Sequence, residues 1–479
     1  MSTRPFCWRA VALVVATLFL ATTACCSSSV APPPPVPDDD PPPVTLDIEI
    51  VLPPDGATVS APTLVSATGS AIRSVEFEVE GTLIFEDHVA PFEWTLTPSS
   101  YTNGQYEVAV TARHAGGAET RSVLVTMAPP PSGTDQPPAV LAAVRDLAPG
   151  HWYEVPNTKM DSVKPIPVPN PGSIGAVMGA WSGAALDTKR DRLIVWGGGH
   201  TDYSGNEIYV FDLATLKWSR VTDPSPFPPG DSDNGNDEVQ HPGGAPISRH
   251  SYNYIAYLPD PVDRFFVGGG SGIWSSGQFE DDNTYLFDFN TSQWETKATS
   301  PVAYIGAFCA VAADGRVWQH GAGPVSSLAV YDATTDTWTS HVDDGSWFSY
   351  AYTCDIDTAR NRLLAVGNER TLVCDLNNPN DTVARLQTTG DREVEDSGNP
   401  GLVYHPGSDR LIAWIGGASV YALDLDTNVW TTIDTTGSVS PGAATGNGTF
   451  GRFRYSPTSD LFVTVASVNG NVFVYRLPD

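Results

Sequence analysis

A recurring pattern between residues 191 and 430 constrains this chain more than any other feature. An Asp-Arg pair, or a near variant, opens an apolar strand at Asp191-Arg192, Asp263-Arg264, Asn361-Arg362 and Asp409-Arg410, with Asp314-Gly315-Arg316 as a looser copy. Glycines follow most of these strands. Another strand then ends in an aromatic or apolar residue and an aspartate, at Asp212, Asp288, Asp332, Asp375 and Asp424. Six residues later stands a tryptophan, at Trp218, Trp294, Trp338 and Trp430; the fourth copy has Asp381 there instead. Self-similarity of this kind marks an architecture in which each copy is one supersecondary unit that cannot bury its apolar face alone. Each copy supplies four short strands. The first is innermost, the Asp-Arg turn leads to the second, glycines end the second, and Trp lies on the outermost.

This pattern resembles the kelch repeat, whose copies form the blades of β-propellers. The resemblance covers residues 151–479, about two thirds of the chain. It implies six blades. The last begins near Phe450, ends at V-F-V-Y-R-L-P-D and lacks its Trp strand. His151-Trp152-Tyr153-Glu154-Val155, at the other end of the region, is the expected replacement. Closure by that 151–155 strand removes two exposed strand edges.

Residues 45–130 alternate apolar and polar positions between regular turns, as in V-E-F-E-V-E-G-T-L-I-F and Y-E-V-A-V-T-A-R. About seven short strands fit an immunoglobulin-like sandwich without a disulfide. The phrases S-V-E-F-E-V-E-G, A-P-F-E-W and N-G-Q-Y-E-V-A-V-T-A resemble bacterial immunoglobulin-like modules of surface proteins, which implies a spacer. The expected fold is thus all-β: an immunoglobulin-like β-sandwich followed by a six-bladed kelch-type β-propeller, with residues 131–150 as linker.

Residues 26–44 read as an extended tether rich in Pro and Asp. Residues 1–25 read as a lipoprotein-type signal. Arg4 and Arg9 flank an apolar run too short for a comfortable membrane span, and small residues precede Cys25. Cys25 is the expected lipidated residue, although Thr22 stands where such signals usually carry Leu. The protein is expected to be exported, anchored by lipid to the bacterial outer membrane or cell surface, to touch the membrane only through that anchor, and to be a monomer. Net charge −29, from 26 basic and 55 acidic residues, argues against nucleic acid as a partner. Cys309, Cys354 and Cys374 remain in the body of the chain, an odd number without C-x-x-C spacing.

Propeller topology puts the loop after each second strand and the loop leading into each blade on one face. That face collects Asp202, Tyr203, Asn206 and His200 from the first blade, and Arg249, His250 and Tyr252 from the second. It also collects Tyr304 and His320 from the third, Trp347, Tyr350, Asn368 and Arg370 from the fourth, and Arg452 from the sixth. Each has a structural alternative: His200 capping a strand end, Arg249 pairing with an acid, Tyr252 alternating within a strand, His320 packing.

Aromatic platforms with amide or Arg donors suit sugar rings, so one reading is a glycan-binding protein whose partner is an extracellular polysaccharide. A second is a lyase acting on uronate chains, which needs a cation on the carboxylate and His or Tyr to move protons. Arg249, His200, His250, Tyr304 and Tyr350 supply those types, with the other residues of the face as substrate contacts. Some propeller polysaccharide lyases resemble this arrangement in architecture and residue types. Net charge −29 opposes a polyanionic substrate unless salt screens it.

A third reading starts from A-F-C-A-V-A-A-D-G-R-V and R-H-S-Y-N-Y-I-A-Y-L-P-D, which are similar to blade strands of galactose oxidase. That resemblance implies a Cys309–Tyr350 cross-link with His250 as a copper ligand. Arg249, however, stands where the family's ligand Tyr belongs, and no C-terminal domain is expected to supply the last His. A protein-binding propeller, which would use an apolar rim, is a further alternative. The residues name no cofactor; Asp202, Asn206 and Glu207 are candidates for a structural Ca²⁺ site. Whether a bound polysaccharide is also cleaved is left open by the residues.

Overall fold

The computed structural model describes residues 48–478, apart from residues 60–62, 70, 97, 99–100, 102–103, 128–132, 171, 200–201, 226–239, 242–243, 271–280, 303–307, 322–327, 342–350 and 381–382. The expected signal and tether, including Cys25, lie outside the described residues.

Residues 48–127 form two sheets. One holds the strands Ile48–Val51, Thr63–Gly69 and Phe92–Leu96 in that order. The other runs Thr58–Val59, Gly117–Met127, Gly104–His114, Ile72–Val79 and Thr82–Asp87. Alternation explains the sandwich: along Ile72–Val79 the side chains of Val75, Phe77 and Val79 are buried while Glu76 and Glu78 face outward. The Phe77 ring meets Trp94 of the other sheet, centroids 5.8 Å apart.

From residue 184 the strands fall into antiparallel groups of four consecutive strands. The first sheet is Ala184–Asp187, Arg192–Val195, Tyr209–Asp212 and Lys217–Arg220. The second is Ile255–Leu258, Arg264–Gly270, Asp281–Asp288 and Gln293–Lys297, and the third Phe308–Val311, Val317–His320, Leu328–Asp332 and Thr337–His341. The fourth is Thr353–Asp357, Arg362–Gly367, Arg370–Asp375 and Ala384–Leu386. The fifth, Gly401–His405, Arg410–Trp414, Val420–Asp424 and Val429–Ile433, adds Thr389–Gly390 in parallel at its outer edge. The sixth has Phe453–Ser456, Leu461–Thr464 and Val472–Tyr475, and its fourth strand is Trp152–Val155.

The repeated Asp-Arg pair has a backbone cause. Asp191, Asp263, Asn361, Asp409 and Asp460 all adopt φ between 51° and 53°. Asp and Asn tolerate this left-handed conformation better than other side-chain-bearing residues. The looser copy uses Gly315 instead, at φ 82°. The recurrent tryptophans anchor the outer strands: the Trp218 indole N–H donates to the Thr158 carbonyl at 2.9 Å, and that of Trp338 to Thr284 Oγ1 at 2.9 Å. The fourth sheet, without such a Trp, has the short outer strand Ala384–Leu386.

The first strands of successive sheets are neighbours, and that of the sixth neighbours that of the first. Backbone bonds stitch the segments that lead into them: Tyr252 N–H to Trp181 carbonyl (2.7 Å), Cys309 to Asn253 (2.7 Å), Asn399 to Ala351 (3.3 Å) and Thr449 to Asn399 (2.9 Å). Asn447 Nδ2 donates to the Gly179 carbonyl at 2.9 Å, joining sixth to first.

At the opposite ends of these strands the ties are ionic. Arg190 forks onto Asp263 at 2.7 and 2.9 Å, and Arg360 onto Asp409 at 2.8 and 2.7 Å. The Ser456 and Ser459 hydroxyls donate to Asp191. The Arg190 hydrogen bonds hold the Asp263 carboxyl well below the usual carboxylate range. Those of Arg360 bring Asp409 down to about 2. Carboxyls depressed in this way contribute stability that is complete above the unfolded value of 3.8 and is lost as pH falls through the folded value. Thermal melts should therefore lose stability between roughly pH 4 and pH 2. Asp263→Asn should lower the melting temperature at pH 7 and flatten this acid-side fall. A variant curve that parallels the wild type at every pH would remove the pair from the account.

Candidate functional site

Gly199 forms the floor of a small polar cluster. Its φ is +85°, and a Cβ there would lie 2.3 Å from His250 Cδ2 and 2.7 Å from Asp202 Oδ2, so only bare backbone fits. His250 Nε2 lies 2.9 Å from Asp202 Oδ2. The Trp181 ring packs on the imidazole with centroids 4.9 Å apart, and Tyr252 meets it edge-on, its Oη 3.5 Å from Nδ1. His250 is buried, whereas the Asp202 side chain is 42% exposed, so the pair opens to solvent through the carboxylate.

Trp181 also borders a cavity of about 620 Å³. The other walls are Ala351 and residues 397–400, 415–417 and 443–449. These segments lead into the first strands of four sheets or follow the second strand of the fifth, so they share one face. Asn399 is 7% exposed, and its side-chain oxygen has no hydrogen-bond partner among the described residues. Arg452 holds the 445–448 loop from below. Its guanidinium donates to the carbonyls of Ser182, Val465 and Gly448 and to Thr445 Oγ1, at 2.9, 2.9, 2.5 and 2.9 Å.

Of the residues the sequence assigns to this face, His250, Asp202 and Tyr252 come together. Several others are corrected by burial. Arg249 is fully enclosed, with Nη1 2.8 Å from the equally buried Asp281, so its charge is committed inside the protein and not to a substrate carboxylate. Arg452 is committed as described. His320 is fully buried on the strand Val317–His320. Tyr203 is buried and donates to Glu207 Oε1, as does Tyr209 at 2.6 Å; burial pushes the Glu207 carboxyl pKa up. Asn206 gives its amide to Ser225 Oγ and the Pro246 carbonyl at 3.0 and 3.1 Å. Asp202, Asn206 and Glu207 thus turn to three separate sets of partners, and no cluster able to hold a metal ion is present among the described residues. The expected Ca²⁺ grouping is not assembled there.

Asn368 is exposed and donates to Tyr352 Oη at 3.4 Å, while Arg370 Nε donates to the Asn368 carbonyl at 3.2 Å; neither borders the cavity. Cys309 is buried, and desolvation raises its thiol pKa. His200, Tyr304, Trp347 and Tyr350 lie outside the described residues. Sequence reasoning misses Trp181, Asn399 and Asn447. The available signal is position alone: each stands just ahead of the first strand of a repeat.

Residues 47–110 match the bacterial Ig domain family, so the first region is an immunoglobulin-like domain within an all-β protein. A domain of this class points to an extracellular or surface protein. Among the described residues no helix is long and apolar enough to cross a membrane. Among solved structures, fibronectin(III)-like modules of Clostridium thermocellum CbhA are 26% identical over 17% of this chain and 94% of theirs, with a TM-score of 0.15. A structural-genomics protein of unknown function from Bacteroides thetaiotaomicron is 9% identical over 91% of this chain and 98% of its own, with a TM-score of 0.40. No curated protein matches the sequence at a significant level.

Proposed function

We propose that residues 151–479 form a six-bladed kelch-type propeller, held at the cell surface by a lipid on Cys25, and that its loop face binds an extracellular polysaccharide. The cyclic order of the six first strands and the sixth sheet's use of Trp152–Val155 support the fold reading. The observation that carries the functional reading is the cavity of about 620 Å³ beside Trp181 and the His250–Asp202 pair. An aromatic ring bordering a concave site with a few polar side chains suits a ligand that has both C–H faces and hydroxyls. Binding is favoured over uronate cleavage because Arg249, the cation expected to neutralise a carboxylate, is committed to Asp281 inside the protein.

Affinity electrophoresis of the purified protein through gels containing acidic or neutral polysaccharides tests this reading. The expected result is retention by at least one polymer, without the ultraviolet absorbance of an unsaturated uronate product. Product absorbance that His250→Ala abolishes would overturn the binding-only reading in favour of a lyase. Unretarded migration in every gel would remove the polysaccharide altogether.

A further inference from the structure

We infer that the cavity beside Trp181 takes an uncharged sugar residue and discriminates against uronates. The inference rests on the polysaccharide reading above and names its ligand class. The described side chains lining the cavity come from Trp, Asn, Ser, Thr, Ile, Pro and Ala, with glycines between them; none is ionisable. A carboxylate entering this site would give up water without meeting a cation among the described residues, and desolvating an unpaired charge is far more unfavourable than desolvating a hydroxyl that finds a partner. The chain's net charge of −29 adds to that penalty. Arg452 lies beneath the 445–448 loop, but its hydrogen bonds run to three carbonyls and a hydroxyl of that region.

Two residues give the cavity its preference for a polyol. Trp181 is only partly buried and supplies an aromatic surface for the C–H face of a sugar ring. Asn399 carries a side-chain oxygen with no donor among the described residues. The amide torsion of Asn is broad, so a small rotation turns either its oxygen or its NH₂ toward a ligand hydroxyl. An amide satisfies hydroxyls, which donate and accept, whereas a carboxylate can only accept. The volume, about 620 Å³, falls within the roughly 300–1,000 Å³ of small-ligand sites and accommodates a short stretch of glycan.

The test compares affinity electrophoresis in gels of galactomannan and mixed-linkage β-glucan with gels of alginate and polygalacturonate. It uses the full protein, Trp181→Ala, Trp181→Tyr and Asn399→Gly. Glycine suits the Asn399 backbone, whose φ is 53°. The wild type should be retained by a neutral polymer with little dependence on salt. Trp181→Ala should weaken retention about tenfold, equivalent to about 1.4 kcal/mol, and Asn399→Gly comparably. Trp181→Tyr, which keeps an aromatic face, should retain most of the affinity. Retention confined to alginate or polygalacturonate would overturn the neutral-ligand inference and leave the polysaccharide reading standing. Neutral-polymer retention unchanged in Trp181→Ala and Asn399→Gly would overturn the assignment to this cavity. No retention in any of the four gels would overturn both.

Discussion

Arg249→Ala should destabilise the protein by about 3–5 kcal/mol, among the largest effects expected of a single substitution in this chain. The guanidinium Nη1 lies 2.8 Å from Asp281 Oδ2, and neither side chain is exposed. Nε donates to the Ile247 carbonyl at 3.0 Å, and the guanidinium sits over the Tyr285 ring, 5.5 Å from its centroid. Burial, the largest single influence, lowers the pKa of the guanidinium; Asp281, Tyr285 and Tyr254 together outweigh it, and the net shift of Arg249 is upward. Asp281 also accepts from Tyr285 Oη at 2.7 Å and from the Asn283 backbone at 2.9 Å. Deleting the arginine leaves a carboxylate in the interior with hydrogen bonds but no counter-charge. Denaturant unfolding measures the loss. The double variant Arg249→Met with Asp281→Leu should recover much of it, since an apolar pair of similar volume avoids both desolvation penalties. A loss under about 1 kcal/mol for Arg249→Ala would mean that water reaches the pair. The outcome also bears on function: an inactive Arg249→Ala protein would be an unfolded one before it was evidence for a catalytic arginine.

Arg249 shows why the scaffold was more legible in the sequence than the site. The turns are local chemistry. Asp or Asn recurs before Arg because one backbone position needs φ near 52°, and that requirement is written into each copy. The outer tryptophans are legible for the same reason, since each is tied to its own repeat; the strand at 151–155 is legible because the last copy lacks its Trp strand and one isolated Trp strand precedes the first. Burial is not local. Arg249 and Arg452 have the residue type a substrate carboxylate needs, and only tertiary packing shows that Asp281 and a ring of carbonyls already hold them. His250 and Asp202 are both visible as candidates, yet they stand 48 residues apart and their pairing depends on how adjacent sheets meet. Trp181, Asn399 and Asn447 belong to three different repeats and share a cavity because the sixth sheet neighbours the first. No spacing within the sequence encodes that proximity.

The same neighbourhood makes Trp152 the other position of large expected effect. Its strand pairs antiparallel with Val472–Tyr475, placing Trp152 opposite Tyr475 and Val155 opposite Val472. The indole is 3% exposed, packs 4.9 Å from the Tyr475 ring and 6.4 Å from that of Trp414, and donates its N–H to the Ala418 carbonyl at 2.7 Å. It therefore fastens the sixth sheet both to its own outer strand and to the fifth sheet. A few residues on, Thr158 Oγ1 accepts from the Val472 backbone while its carbonyl accepts from Trp218 of the first sheet. Trp152→Ala removes a large buried ring and leaves the Ala418 carbonyl without its donor, at a cost of about 3–5 kcal/mol. Trp152→Phe keeps the ring contacts and should lose markedly less. If the strand completes the sheet, hydrogen exchange in Trp152→Ala should accelerate first at Val472–Tyr475, whose outer edge would be freed, before protection falls elsewhere. Uniform acceleration would instead mean that the six sheets unfold as one unit. Unchanged protection at Val472–Tyr475, with a stability loss below about 1 kcal/mol, would mean that the sixth sheet stands without this strand.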